Sequence, residues 1–135
     1  MTKDDLFDLI KDAGYCVLAT TDGDQPRARP MMPYLSENGQ LLLACISTCR
    51  TISQIQVNPK VEMCYIDRKM GFARVSGLAK VSPDPDKKEL VWEQIPMLRQ
   101  YFSGPADPNY VLLEIAVTGV EVMTPQQREP EIVLL

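Results

Sequence analysis

The stretch Tyr15-Cys16-Val17-Leu18-Ala19-Thr20-Thr21-Asp22-Gly23-Asp24-Gln25-Pro26-Arg27-Ala28-Arg29-Pro30-Met31-Met32-Pro33-Tyr34-Leu35 decides the fold class. Tyr15 to Thr21 is a β-branched and apolar run, the pattern of a buried strand. Asp22-Gly23 then favours a hairpin, because both residue types accept the backbone angles of a tight turn. A second strand follows from Arg27 to Leu35. Its prolines, Pro30 and Pro33, cannot donate to a ladder, which places this strand at an edge, at a bulge, or where something else approaches. Ser36-Glu37-Asn38-Gly39 is another turn and Gln40 to Ile46 a third strand. The first half is a meander.

Upstream, residues 2–13 read as a helix with Thr2 as N-cap, Asp4 and Asp5 in the first turn, and Gly14 as stop. Leu6, Phe7, Leu9, Ile10 and Ala13 give its apolar stripe. Downstream, a short helix over 50–57 turns Ile52 and Ile55, with Val57 as a third candidate, to the core and ends at Asn58-Pro59. Val61 to Asp67 and Phe72 to Val81 are strands; Gly77 marks a bulge or a close backbone approach. A helix over 85–101 starts at a proline, with Leu90, Val91, Gln94, Ile95 and Leu98 inside and a kink or split at Pro96. Tyr110 to Met123 is the last long strand, before a polar linker and an apolar tail. The expected architecture is mainly β with flanking helices: one domain over 1–124 built on a small antiparallel barrel of six strands, and a C-terminal tail over 125–135.

Composition narrows the chemistry. A hydrophobic fraction of 45% and a charged fraction of 24% are ordinary for a globular chain. A net charge of −4 with scattered Lys and Arg argues against nucleic acid, which needs a basic face. No apolar stretch reaches the roughly 18–20 residues of a membrane span, and the acidic start lacks a signal-peptide pattern, so the expectation is a cytoplasmic protein. In that compartment Cys16, Cys45, Cys49 and Cys64 are free thiols, and their spacing is not that of a metal site. The sequence has no histidine, which removes the commonest general base and the triad engines. Chemistry here is borrowed from a cofactor.

Two segments could bind one. Ser47-Thr48-Cys49-Arg50-Thr51 follows a strand and opens a helix. Free backbone N–H groups, hydroxyls and a forked guanidinium at such a start attract a phosphate. The plainer alternative is a helix start capped by Thr48 with Arg50 exposed. In the second segment, regular alternation puts Arg27, Arg29 and Met31 on one face, next to carbonyls that a flat ring could use. The alternative there is an edge blunted by Pro and Arg. Met31 and Met32 suit either a ring contact or core filling. Trp92, Tyr101 and Phe102 read as core or interface residues.

The chain resembles the pyridoxamine 5′-phosphate oxidase-like, FMN-binding split-barrel family, in particular its short general stress and nitroimidazole-resistance-like members. The likeness is carried by Leu18-Ala19-Thr20-Thr21-Asp22-Gly23 with Pro26-Arg27-Ala28-Arg29-Pro30-Met31, by Thr48 to Pro59 with Lys60-Val61, by Val75-Ser76-Gly77-Leu78-Ala79-Lys80-Val81, and by Asp107-Pro108-Asn109-Tyr110-Val111-Leu112-Leu113, in the family's order. The resemblance implies a six-stranded split barrel, a homodimer, and FMN in a groove shared by the two copies. It implies that Arg29, Pro30, Met31 and Met32 run along the isoalloxazine ring. Cys45 to Thr48, including Ser47, with Arg50 and Thr51, surround the phosphate, with Gln54 near the same helix face. The partner contributes from the late helix and last strand. One departure stands out: where the family often has Ser-Arg-Lys or Ser-Pro-Lys, this chain has Cys49-Arg50-Thr51, so a positive charge is missing. No Arg-rich segment follows Met123, which argues against pyridoxamine phosphate oxidation itself.

The implied activity is a flavin oxidoreductase acting on a small molecule, with a nicotinamide nucleotide as donor. Tyr34, Tyr65 and Arg27 are candidate proton or charge partners. Rival readings are an FMN or phosphate-ligand sensor without turnover, a deazaflavin-dependent reductase of the same fold, and a scaffold that has lost its cofactor. Haem is the weakest reading, since no His can ligate it.

Overall fold

The computed structural model describes residues 1–134; Leu135, the last residue of the expected tail, lies outside the described residues. Helix α1 (Lys3–Ala13) begins with a full capping box, in which Thr2 and Asp5 each accept from the other's backbone N–H, and ends at Gly14 in the left-handed conformation. Strands β1 (Cys16–Asp22) and β2 (Gln25–Met31) form the expected hairpin, with Cys16 opposite Met31 and Asp22 opposite Gln25. Then come β3 (Pro33–Leu35), β4 (Leu41–Ile46), α2 (Arg50–Val57), β5 (Lys60–Ile66), β6 (Phe72–Val81), α3 (Pro85–Gln94), a 3₁₀ segment (Pro96–Gln100), β7 (Tyr110–Met123) and β8 (Glu131–Ile132).

The strands make one antiparallel sheet in the order β2-β1-β5-β6-β7-β4-β3, with β8 added to β7. Its two edges, β2 and β3, are consecutive in the chain and joined through Met32 alone. The sheet therefore curls until β2 lies against β4, leaving a seam without strand pairing between them: a split barrel. The described residues form eight strands rather than six. The run expected as one strand from Arg27 to Leu35 breaks at Met32, where the chain leaves the edge paired with β1 and Pro33 opens the edge paired with β4. The second addition is β8, which brings Val133 into the barrel core, its N–H bonded to the Val120 carbonyl at 3.0 Å.

Alternation along β4 sorts its side chains into two cores. Leu41, Leu43 and Cys45 point into the barrel with Leu18, Met63, Tyr65, Val75 and Leu113. Leu42 points the other way, to a second cluster of Val91, Trp92, Ile95, Leu98, Phe102, Tyr110 and Leu112 beneath α3. Burial on both faces explains the unbroken Leu41-Leu42-Leu43 run. Gly77 sits at the expected register shift; a Cβ there would meet Ile115 Cγ2 at 2.6 Å and the Ala116 carbonyl at 2.8 Å.

The helix over 85–101 splits at Pro96 as expected, while two expectations for inward side chains need correction. Helix α3 stops at Gln94, and Pro96 opens a 3₁₀ segment instead of continuing it. Leu90 and Gln94 face solvent, because Val91, Ile95 and Leu98 already fill the inner side. Val57 is 88% exposed: it lies two residues past the buried Ile55, on the far side of α2.

Candidate functional site

A groove of about 400 Å³ runs along the seam. One wall is β2 and its exit, with Arg29, Pro30, Met31 and Met32; the other is the end of β4, with Ala44, Cys45 and Ile46. Cys49 and Thr51 from the start of α2 close one end, and Met97, Leu98, Tyr101 and Phe102 wall the other side. The lining is mostly apolar, with few polar groups, as small-molecule sites are.

Arg29 is the polar anchor. Half-buried on the inward face of β2, its Nη1 donates to Thr20 Oγ1 at 2.7 Å and to the Leu18 carbonyl at 3.3 Å. Its Nη2 donates to Gln54 Oε1 at 2.7 Å. Thr20 Oγ1 in turn donates to Gln54 Oε1 at 2.6 Å. Strand β1, strand β2 and helix α2 are thus tied through one network in which Thr20 and Gln54 are buried. A satisfied buried network rigidifies the groups it joins. Burial lowers the Arg29 pKa from its ordinary value; so basic a group still carries its proton at neutral pH. A guanidinium has five N–H donors, so the network leaves two for a ligand in the groove.

Helix α2 has no acidic residue in its first turn, which leaves its N–H end open to an anion. Its N-cap is Cys49 rather than Thr48, and the Cys49 side chain makes no capping hydrogen bond. Thr51 is buried on the groove wall, while Thr48 and Arg50 are exposed. Ser47 is drawn towards β7: its N–H bonds the Asn109 carbonyl at 2.9 Å and its Oγ the Asn109 side chain at 3.2 Å. Burial pushes the Cys45 thiol well above its ordinary pKa, and the neighbouring Cys49 thiol adds to that.

Of the residues expected around a cofactor, Arg29, Pro30, Met31, Met32, Cys45 and Thr51 line the groove together. Gln54 lies behind Arg29 as its acceptor. Ser47, Thr48 and Arg50 do not line it. None of the three candidate proton partners does either. Tyr65 is sealed in the barrel, its hydroxyl 3.6 Å from Met63 Sδ; Tyr34 packs against the second core; and exposed Arg27 lies 3.8 Å from Asp22. The wall from Met97 to Phe102 is supplied by this chain, just after the late helix. Its one sequence signal was Pro96, which ends α3 and lets the next residues turn across the seam. Ile46 and Cys49, inside the stretches expected at the phosphate, also line it, and Tyr15 and Ala44 complete the lining without a sequence signal.

A second hollow of about 420 Å³ lies beyond Gln54, lined by Thr21, Asp22, Gly23, Ser53, Val57 and Asn58. Its lining holds a carboxylate and neither Lys nor Arg, so it is the poorer place for an anion.

Residues 2–132 match the family model described as pyridoxamine 5′-phosphate oxidase like. The chain belongs to that family. Among solved structures, it is similar to General Stress Protein 26 from Bacillus anthracis str. Sterne, at 28% identity and TM-score 0.83, covering 98% of both chains. It is also similar to a NimC/NimA family protein from Clostridium acetobutylicum, at 27% identity and TM-score 0.83, covering 96% of this chain and 89% of that one. A pyridoxamine 5′-phosphate oxidase-related, FMN binding protein from Nostoc punctiforme shares the fold at 17% identity and TM-score 0.77, covering 96% of this chain and 87% of that one. Among the described residues, no helix is long and apolar enough to cross a membrane.

Proposed function

We propose that this chain binds FMN in the seam groove, works as a homodimer, and uses the flavin to move electrons between a nicotinamide nucleotide and a small molecule. The observation that carries this reading is the groove itself: an apolar slot with a pinned, charged Arg29 on one wall and the start of α2 at its end. A flat ring suits the slot, and an anionic side chain suits that end. Membership of the family and the FMN-binding structural neighbour support the choice of ligand. Exposed Tyr15, Ile46, Met97 and Tyr101 at the groove rim offer the apolar surface that a second copy would cover.

The chain's own residues would orient and shield the ring. Met31 and Met32 would lie along it, Phe102 and Leu98 would back it, and Arg29 would place positive charge near it. When bound, the flavin supplies hydride and single-electron chemistry. No side chain of the groove reads as a strong acid or base, so proton transfer falls to water or substrate. With Thr51 where the family often has lysine, the phosphate would rest on the start of α2. The test is gel filtration after mixing with FMN, then anaerobic addition of NADH or NADPH. Flavin absorbance travelling with a dimer and bleached by the nucleotide is the expected result. A protein that sheds all flavin overturns the reading. A retained flavin that neither nucleotide reduces replaces turnover with a sensor or storage role.

A further inference from the structure

We propose that Cys45 and Cys49 are an oxidisable thiol pair in the seam groove, which a hydroperoxide converts to a disulfide. Cys45 is the penultimate residue of β4, and Cys49 is the N-cap of α2. Between them the chain makes a tight turn, in which the Ile46 carbonyl accepts from the Cys49 N–H at 3.0 Å. That turn folds the start of α2 back onto the end of β4. Both sulfur side chains line the same groove, and Cys49 packs against the core cluster that contains Cys45.

The two thiols differ in access. Cys45 is buried, while Cys49 is half-exposed at the groove end, in the same lining as Arg29. A small oxidant entering the groove therefore meets Cys49 first. The other cysteines are placed differently: Cys16 is sealed in the barrel, and Cys64 lies on β5 beside Arg74; neither lines the groove.

The chemistry balances in two steps. In the first, the O–O bond of the hydroperoxide breaks as the Cys49 sulfur takes one oxygen. The sulfur is oxidised to a sulfenic acid, and the peroxide is reduced to an alcohol, or to water from hydrogen peroxide. In the second, the Cys45 sulfur attacks the Cys49 sulfur. The S–S bond forms, the S–O bond breaks, and the oxygen leaves as water with the Cys45 proton. The disulfide ties the end of β4 to the helix whose Gln54 anchors Arg29, so the oxidation state of the pair is written directly into the groove wall.

The experiment treats the full chain, reduced and free of flavin, with hydrogen peroxide, then counts free thiols and maps cross-linked peptides by mass. The expected result is a fall from four free thiols to two, with Cys45 joined to Cys49, reversed by dithiothreitol. Cys49→Ser should keep its three thiols under the same treatment, and Cys45→Ala should lose one and leave a sulfenic acid trappable on Cys49. Cys64→Ser should form the same disulfide as the parent. Four intact thiols, a cross-link through Cys16 or Cys64, or oxidation confined to methionines such as Met31 and Met32 would overturn the proposal. Because no flavin is present, the outcome is independent of the flavin reading.

Discussion

The barrel interior and the cluster beneath α3 share two strands yet are built differently. The interior is closed by the sheet itself and filled with mostly aliphatic side chains from β1, β4, β5, β6, β7 and α1, with Ile55 of α2 and Val133. The second cluster is aromatic, with the Phe102 and Tyr110 rings 5.2 Å apart and Trp92 6.2 Å from Tyr110, and it is covered only by α3 and the 3₁₀ segment. One side of it opens on the groove, where Tyr101 is 62% exposed. The first core sets the shape; the second supplies an adaptable wall. Where structure must be fixed the chain spends β-sheet pairing, and where a ligand must enter it uses a short helical segment held by a few rings.

The largest expected effects probe this contrast directly. Leu18 and Leu112 are both essentially inaccessible, one in each core. Leu18→Ala should cost about 4 kcal/mol, because the closed barrel cannot collapse onto the hole. Leu112→Ala should cost about 2–3 kcal/mol, because α3 and the 3₁₀ segment can settle inward. Urea denaturation measures both, and equal losses would break the contrast. Next comes the seam between the cores. Arg29→Leu strips charged donors from Thr20, Gln54 and the Leu18 carbonyl, and should lower stability by about 1–3 kcal/mol. It should also abolish retention of FMN on gel filtration; retention at parental levels would remove Arg29 from the site.

The smallest effect concerns how α3 is held. Lys87 on α3 donates to Glu114 on β7, and this hydrogen bond, ahead of the opposing cost of burial, holds the Glu114 carboxyl below its ordinary pKa. A depressed carboxyl stabilises the fold fully above its unfolded pKa of about 4.3 and loses that contribution as pH falls through the lower folded value. Glu114→Gln should therefore melt earlier at neutral pH, by about 1 kcal/mol, with the gap closing in acid. A gap independent of pH would mean that the pair holds α3 by shape rather than by charge.

Much of the fold was legible because local chemistry and global packing agree. Asp22-Gly23 gives the hairpin, Thr2 and Gly14 bound α1, and Gly77 marks the register shift. The strand limits of β7 follow from one long apolar run. The break at Met32 was not legible: prolines signal an edge, but only the curl of the whole sheet decides that the chain must change edges there. Val57 misled because valine is apolar, whereas the helical repeat after Ile55 turns it to solvent. The β2 side of the site was readable from Arg29 and Met31, since alternation fixes their face. The opposite wall was not, because Met97 to Phe102 reach the groove through tertiary packing after Pro96, with no periodic pattern to announce it. Ser47 and Arg50 are ligand candidates by residue type; Ser47 bonds Asn109, and neither is in the groove lining.

The prolines of the seam also decide what kind of guest the open barrel can admit. The ladder from β1 continues past Pro26 and Pro30, so their nitrogens sit on the outer margin of β2, and Pro33 opens β3 on the other lip. A peptide seeking to extend the sheet needs a row of N–H donors there, and it finds gaps. A small molecule needs no such row; it asks only for a surface and a charge. The lips of the cleft thus deny a strand-extending peptide its donors while leaving the groove's side chains free to meet a small guest, a filter written in backbone donors.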